Sequence, residues 1–214
     1  MAGLFITLEG IDGCGKSTQA RRLAEALRHT GEEVLLLREP GGTPISERIR
    51  TILLDPECAE MCDECELLLY EASRAQLVRE VIMPALDRGV AVVCDRFYDS
   101  TYAYQHGGRG LDERLVATAN ALGSCGLAPS CTIVFDLDPA VALSRATEGG
   151  ADRLEGEGVA FQERIREAYR GLAARDSRRV HLVDADGTPD EVYERLVAAL
   201  ADLLPAPQRS EGNN

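Results

Sequence analysis

No stretch of this 214-residue chain approaches the roughly 18 consecutive apolar residues that a membrane-spanning helix needs, so no membrane partner is expected. Positive charge is scarce. The 23 Lys and Arg against 36 Asp and Glu leave a formal net charge of −13. A sequence-independent grip on nucleic-acid phosphates needs a basic face, so no nucleic-acid partner is expected either. The N-terminal run MAGLFITLEG has no basic leader and reads straight into a strand, so no signal peptide is expected and the cytoplasm is the expected compartment. Seven cysteines are an odd number for a disulfide framework, and the expected compartment is reducing. Cys58, Cys62 and Cys65 lie close together, but no second CxxC and no nearby histidine completes a four-ligand zinc set. They read as chance cysteines at the start of a helix. No internal repeat is present.

What remains is an ordinary globular composition, 45% hydrophobic and 28% charged, in a length that suits one domain. Apolar runs of strand length alternate with helical patterns. Strands are expected at Leu4 to Glu9, Val34 to Glu39, Val90 to Asp95, Thr132 to Asp138 and Val180 to Asp186. Helices are expected at Lys16 to Thr30, from Ile45, at Glu64 to Asp87 with Pro84 bending the last turn, at Asp112 to Leu122, after Pro139, at Phe161 to Arg175 and at Asp190 to Leu204. Strands that alternate with helices, and that are continuously apolar, imply a parallel sheet covered on both faces. The expected fold is α/β, a five-stranded parallel sheet in a single domain over 1–204. The Gly-rich, charged segment Glu148 to Gly158 reads as a short lid, and the tail from Pro205 as disordered.

Gly10-Ile11-Asp12-Gly13-Cys14-Gly15-Lys16-Ser17 fits G-x-x-x-x-G-K-[ST] between a strand and a helix, the context that identifies a P-loop. Its glycines permit a backbone path along which successive N–H groups face inward around phosphate oxygens, and the following helix points its positive end at the same place. Lys16 is expected to reach the β- and γ-phosphates of ATP, and the Ser17 hydroxyl to ligate Mg²⁺. Asp95 ends the third strand. In parallel sheets ligands bind beyond the carboxyl ends of strands, so Asp95 is expected beside the P-loop as the second Mg²⁺ ligand. Arg38, Arg50, Arg74, Arg96 and Arg153 fall at strand ends, on facing helices or in the Gly-rich segment. In a chain of net charge −13 their clustering suggests a second phosphate site opposite the cradle, because a guanidinium offers a permanently charged, bidentate fork.

EGIDGCGKST (Glu9 to Thr18), REPGGT (Arg38 to Thr43), Ala72 to Gln76, Asp95-Arg96-Phe97, DSTYAYQ (Asp99 to Gln105) and DRLE (Asp152 to Glu155) together resemble the thymidylate kinase family, over nearly the whole chain. The pairing of REPGGT with DRF-x-DS-x-x-AYQ is far more specific than the P-loop. The resemblance implies transfer of phosphate from ATP to dTMP with Mg²⁺, in a homodimer to which the long Glu64 to Asp87 helix contributes. It places Tyr70 against thymine, where phenylalanine is the usual residue, and Arg74 on the base edge. It places Arg96 and Arg50 on the acceptor phosphate, Thr101, Tyr104 and Gln105 around base and sugar, and Asp12 at the 3′-OH. One branch of the family carries an arginine at the position of Gly13. This chain resembles the bacterial branch, which supplies that charge from the lid: Arg153 matches the lid position, and Arg145 is a second candidate. A kinase for another nucleotide or nucleoside, and a P-loop switch protein, are the alternatives that the P-loop alone leaves open.

Overall fold

The computed structural model describes residues 3–146, 153–201 and 203. Five strands, β1 (Phe5–Glu9), β2 (Val34–Arg38), β3 (Ala91–Asp95), β4 (Cys131–Asp136) and β5 (Val180–Asp184), form one sheet in the order β2-β3-β1-β4-β5. All pairings are parallel. Between them lie α1 (Lys16–His29), α2 (Pro44–Leu54), α3 (Asp63–Leu77), α4 (Met83–Asp87), α5 (Tyr98–Thr101), α6 (Glu113–Gly123), α7 (Pro139–Ala146), α8 (Val159–Arg175) and α9 (Pro189–Ala199). The central strands are apolar on both faces because helices cover both. Ile6, Leu8 and Val93 point into the core that α1 shares, while Phe5, Val92 and Cys94 point into a second core with Leu77, Val78 and Ile82.

The expected elements are all present, and their ends differ for local reasons. The β4 strand stops at Asp136 because Asp138 turns away to accept bonds from the N–H groups of Ala140 and Val141, at 2.9 and 3.2 Å, opening α7. The long third helix does not simply bend at Pro84. It widens into a π-helical segment, Val78–Ile82, before α4; a proline clashes with the carbonyl four residues back, here that of Glu80. The stretch after β3, for which no element was expected, forms α5 and a π-helical segment, Tyr102–Gly108. The last helix ends at Ala199. Of the expected lid, 148–152 lie outside the described residues, as does the tail from Pro205.

Two backbone features set the geometry at the carboxyl end of the sheet. Gly13 has φ +81, and a Cβ there would lie 1.9 Å from the Ala142 carbonyl oxygen. The helix α7 therefore rests directly on the P-loop, at a distance only glycine allows. Beneath the P-loop, Glu9 is fully buried at the end of β1. Its carboxylate accepts the Phe97 N–H at 2.7 Å, the Ser100 hydroxyl at 2.5 Å and the Tyr169 hydroxyl at 2.8 Å. Burial pushes this carboxyl up to about 7 from an ordinary 4.5, with Asp99 adding to the rise and Arg96 opposing it.

A carboxyl raised in the folded state holds its proton while the unfolded chain has already released it. Its contribution to stability is full below the ordinary value near 4.5 and is lost as pH climbs through about 7. Glu9→Gln should remove this slope, which amounts to on the order of 3 kcal/mol between the two limits. Urea denaturation midpoints of wild type and variant, taken across that range, test it: parallel pH profiles would rule the assignment out.

Candidate active site

The P-loop follows β1 and opens α1, as expected. Gly15, at φ 93, precedes the first turn of α1, so the free N–H groups of that helix face the loop. Lys16 is the only lysine in the chain, and its side chain is 6% exposed. Its ammonium donates to the Ile11 carbonyl at 2.9 Å and stands 3.9 Å from Asp12. Ser17 donates to Asp95 Oδ2 at 2.5 Å, so the two expected metal ligands share one locus. A hydroxyl and a carboxylate are hard oxygen donors of the kind Mg²⁺ takes, with substrate phosphates and water completing its shell. Among the described residues no group of three or more His, Cys, Asp or Glu converges on a metal-binding geometry, and that includes Cys58, Cys62 and Cys65.

Two cavities open at this end of the sheet. The cradle is bounded by Gly13, Gly15, Lys16, Ser17 and Asp95, with Arg38 and Arg145 reaching its rim. The second is bounded by Tyr70, Thr101, Tyr104, Gln105, Pro40, Leu54 and Leu154. Asp12, Glu39, Arg50 and Arg96 line both. The two spaces are thus adjacent, with two arginines at the junction. Cys14 is buried beside the cradle, and burial pushes its thiol up.

Arg96 makes the junction. Its Nη1 donates to the Gly10 carbonyl and to Ser100 Oγ, both at 3.0 Å, and its Nη2 to Asp12 at 2.5 Å and to Tyr104 Oη at 2.9 Å. The Tyr104 hydroxyl in turn donates to Asp12 Oδ2 at 2.8 Å. Burial works against ionising Asp12, but the Arg96 and Lys16 charges and the Tyr104 hydroxyl hold its carboxyl well below the usual carboxylate range. Arg50 donates to the Pro40 carbonyl at 3.0 Å.

Three expected positions come out differently. Arg74 sits one helical turn from Tyr70, but its guanidinium is not in the cavity wall. It is 1% exposed, with Nε on Glu39 at 2.7 Å and Nη1 on Glu71 and on Asn120. Its fork is occupied by two buried carboxylates, which makes it a support of the wall. Arg153 is not at the cradle. It donates to the Leu53 carbonyl at 2.9 Å and pairs with Glu66 at 2.6 Å, because a buried carboxylate captures it there. Arg145, the second candidate, lines the cradle instead. Arg38 lies on the cradle side and pairs with Glu47 at 3.0 Å. The sequence reading assigned no role to Glu39, although it stands in REPGGT, or to Glu66, an acid one helical turn before Tyr70. That spacing was the available signal.

Removing one partner of a buried ion pair leaves the others unpaired, at a typical cost of about 3–5 kcal/mol. Arg74→Ala should therefore lower the unfolding free energy by that order, seen as an earlier denaturation midpoint, and lose activity without any preference among bases. A variant as stable as wild type that changed only base preference would restore Arg74 to the base edge.

Comparison with known proteins places the chain in a family. The family model described as Thymidylate kinase matches residues 8–196. A thymidylate kinase of Pseudomonas fluorescens strain SBW25 is 51% identical over 205 residues, covering 95% of this chain and 98% of that protein. One of Solidesulfovibrio magneticus is 45% identical over 209 residues, covering 94% and 100%. The crystal structure of thymidylate kinase from Ehrlichia chaffeensis superposes with a TM-score of 0.76 at 32% identity, covering 94% of this chain and 99% of that one. With a family model spanning most of the sheet and near-complete relatives at half identity, the chain belongs to the thymidylate kinase family.

Proposed function

We propose that this chain transfers the terminal phosphoryl group of ATP to dTMP, yielding dTDP for dTTP synthesis. The observation that carries the reading is the junction: a P-loop cradle and an aromatic-walled cavity share Asp12, Arg50 and Arg96 between them. Two phosphates entering from opposite sides would meet there. Tyr70 offers a face to a base, and Thr101, Tyr104 and Gln105 close around base and sugar. Asp12 takes the 3′-OH. Arg96 and Arg50 hold the acceptor phosphate.

Such a transfer needs positioning and charge neutralisation more than covalent chemistry. Gly10, Ile11, Asp12, Gly13, Cys14 and Gly15 frame the donor phosphates, and Lys16 reaches the β- and γ-positions. Ser17 and Asp95 would hold Mg²⁺, which would supply positive charge to the transferring phosphate. Arg96 neutralises the acceptor side, and Arg145 supplies the charge that the position of Gly13 lacks. No general base is needed, because a phosphate monoester is already largely dianionic near neutral pH. Residues 148–158 would act as the lid of a single kinase domain over 1–204, excluding water during transfer. All seven cysteines are free thiols, in keeping with a cytoplasmic site of action.

ADP release measured across a panel of nucleoside monophosphates tests the acceptor: dTMP is expected to lead, and a clear preference for another base would overturn the reading. In the same assay Lys16→Ala should lose kcat by about a thousandfold or more with the fold intact. Arg145→Ala should lower kcat by about ten- to a hundredfold, and by more than Arg153→Ala does. The reverse order would return the transfer charge to Arg153.

A homodimer is also part of the proposal. Ile45, Ile52, Leu68, Leu115 and Leu122 are exposed on the neighbouring helices α2, α3 and α6, with Leu122 78% exposed. An apolar surface of this kind marks an association face. Leu122→Glu should shift the sedimentation of a micromolar sample from dimer to monomer, and a wild-type protein that is monomeric and fully active would refute it.

A further inference from the structure

Glu66 lies on α3 outside the cavity wall, 1% exposed, and it is saturated with donors. Its Oε1 accepts from Gln105 Nε2 at 2.8 Å and from Arg109 Nε at 3.2 Å. Its Oε2 accepts from Arg109 Nη2 at 3.0 Å and from Arg153 Nη1 at 2.6 Å. We propose that Glu66 is a positioning residue that sets base choice by fixing which end of the Gln105 amide faces the acceptor cavity.

The argument is one of donor and acceptor inventory. A side-chain amide has an NH₂ that only donates and an oxygen that only accepts, and the two ends exchange by a half-turn. An ionised carboxylate only accepts. Gln105 must therefore turn its NH₂ toward Glu66, and Oε1 is the end left for the cavity it lines. Glu66 stays ionised: burial alone would raise its carboxyl, but the bonds from Arg109 and Gln105 and the Arg109 and Arg153 charges bring it below the usual range. Two arginines thus hold the charge that holds the amide. Reversing Gln105 would set its oxygen against a buried carboxylate and leave the NH₂ facing away.

A second observation shows that this wall is built for a ligand. Thr101 lines the same cavity at 1% exposure, and its hydroxyl has no hydrogen-bond partner among the described residues. A buried hydroxyl without a partner costs free energy, and a base edge would supply one. Thymine presents an N3–H donor on that edge, and cytosine presents a bare N3 acceptor. An acceptor-only Gln105 accommodates the first and repels the second. A neutral residue at 66 would let the amide turn and admit either.

The inference rests on the dTMP reading of the cavity, and the experiment separates the two. Steady-state kcat/KM is measured with dTMP and dCMP for wild type, Glu66→Gln, Gln105→Ala and the double variant, with thermal melts to establish folding. Glu66→Gln should raise the dCMP-to-dTMP ratio by about tenfold or more. In the Gln105→Ala background the same change should leave the ratio within about twofold, since the effect runs through that amide. An unchanged ratio in folded Glu66→Gln, or an equal shift without Gln105, overturns the proposal. Wild type that ignores dTMP overturns the functional reading instead. If Glu66→Gln does not fold, the ¹⁵N spectrum of the wild type decides. The Gln105 side-chain NH₂ protons should already be protected from exchange in the free protein, and free exchange there rejects the proposal.

Discussion

The Arg96 guanidinium is the contact on which the rest of the site depends. It lies immediately after β3, yet it binds the loop after β1 through Gly10 and Asp12, and the helix after β3 through Ser100 and Tyr104. To reach all four it adopts φ 73, a left-handed conformation that an arginine rarely takes and that costs about 1–3 kcal/mol. The surroundings hold it there: Glu9 clamps the next residue's N–H and Ser100 together, and Tyr169 closes the network from α8. One strained residue thus ties two loops and a helix together at the junction of the two cavities.

Around that contact the acidic residues divide by partner. Asp12 faces two cations and stays charged; Glu9 has hydroxyls and a backbone amide for neighbours and holds its proton to about 7. For Glu39, burial raises the carboxyl and Arg74 opposes the rise. A chain of net charge −13 builds an anion-binding site by committing most of the nearby carboxylates to arginines or to burial. Few remain to repel a nucleotide.

Much of this was legible in the sequence. The strands were readable because helices on both faces require unbroken apolar runs, and the P-loop because its glycines, Lys16 and Ser17 stand at fixed offsets. Asp95 was placed by the rule for strand ends. What the sequence could not show was the partner of each charge. Arg74 read as a base ligand and Arg153 as a phosphate ligand because an isolated arginine looks available, whereas buried carboxylates engage both. Tyr98 to Gly108 was assigned no element; it forms a short helix and then a π-helical segment, whose wider turn shifts the apolar face partway along. Glu66 was given no role, and only the tertiary structure shows it buried between Gln105, Arg109 and Arg153.

The contact between Gly13 and α7 bears on how such a chain can change. The Ala142 carbonyl fills the space that any side chain at position 13 would take, and α7 carries Arg145 in its last turn. An arginine at position 13 cannot simply be added to the existing one, because accommodating it would move the helix that presents Arg145. The two ways of delivering charge to the donor phosphate, from the loop or from the helix, are mutually exclusive in this backbone. The obstacle is backbone, the carbonyl of Ala142 and the N–H of Ala146, so no side-chain exchange at 142 makes room: a side chain at 13 requires the whole of α7 to shift.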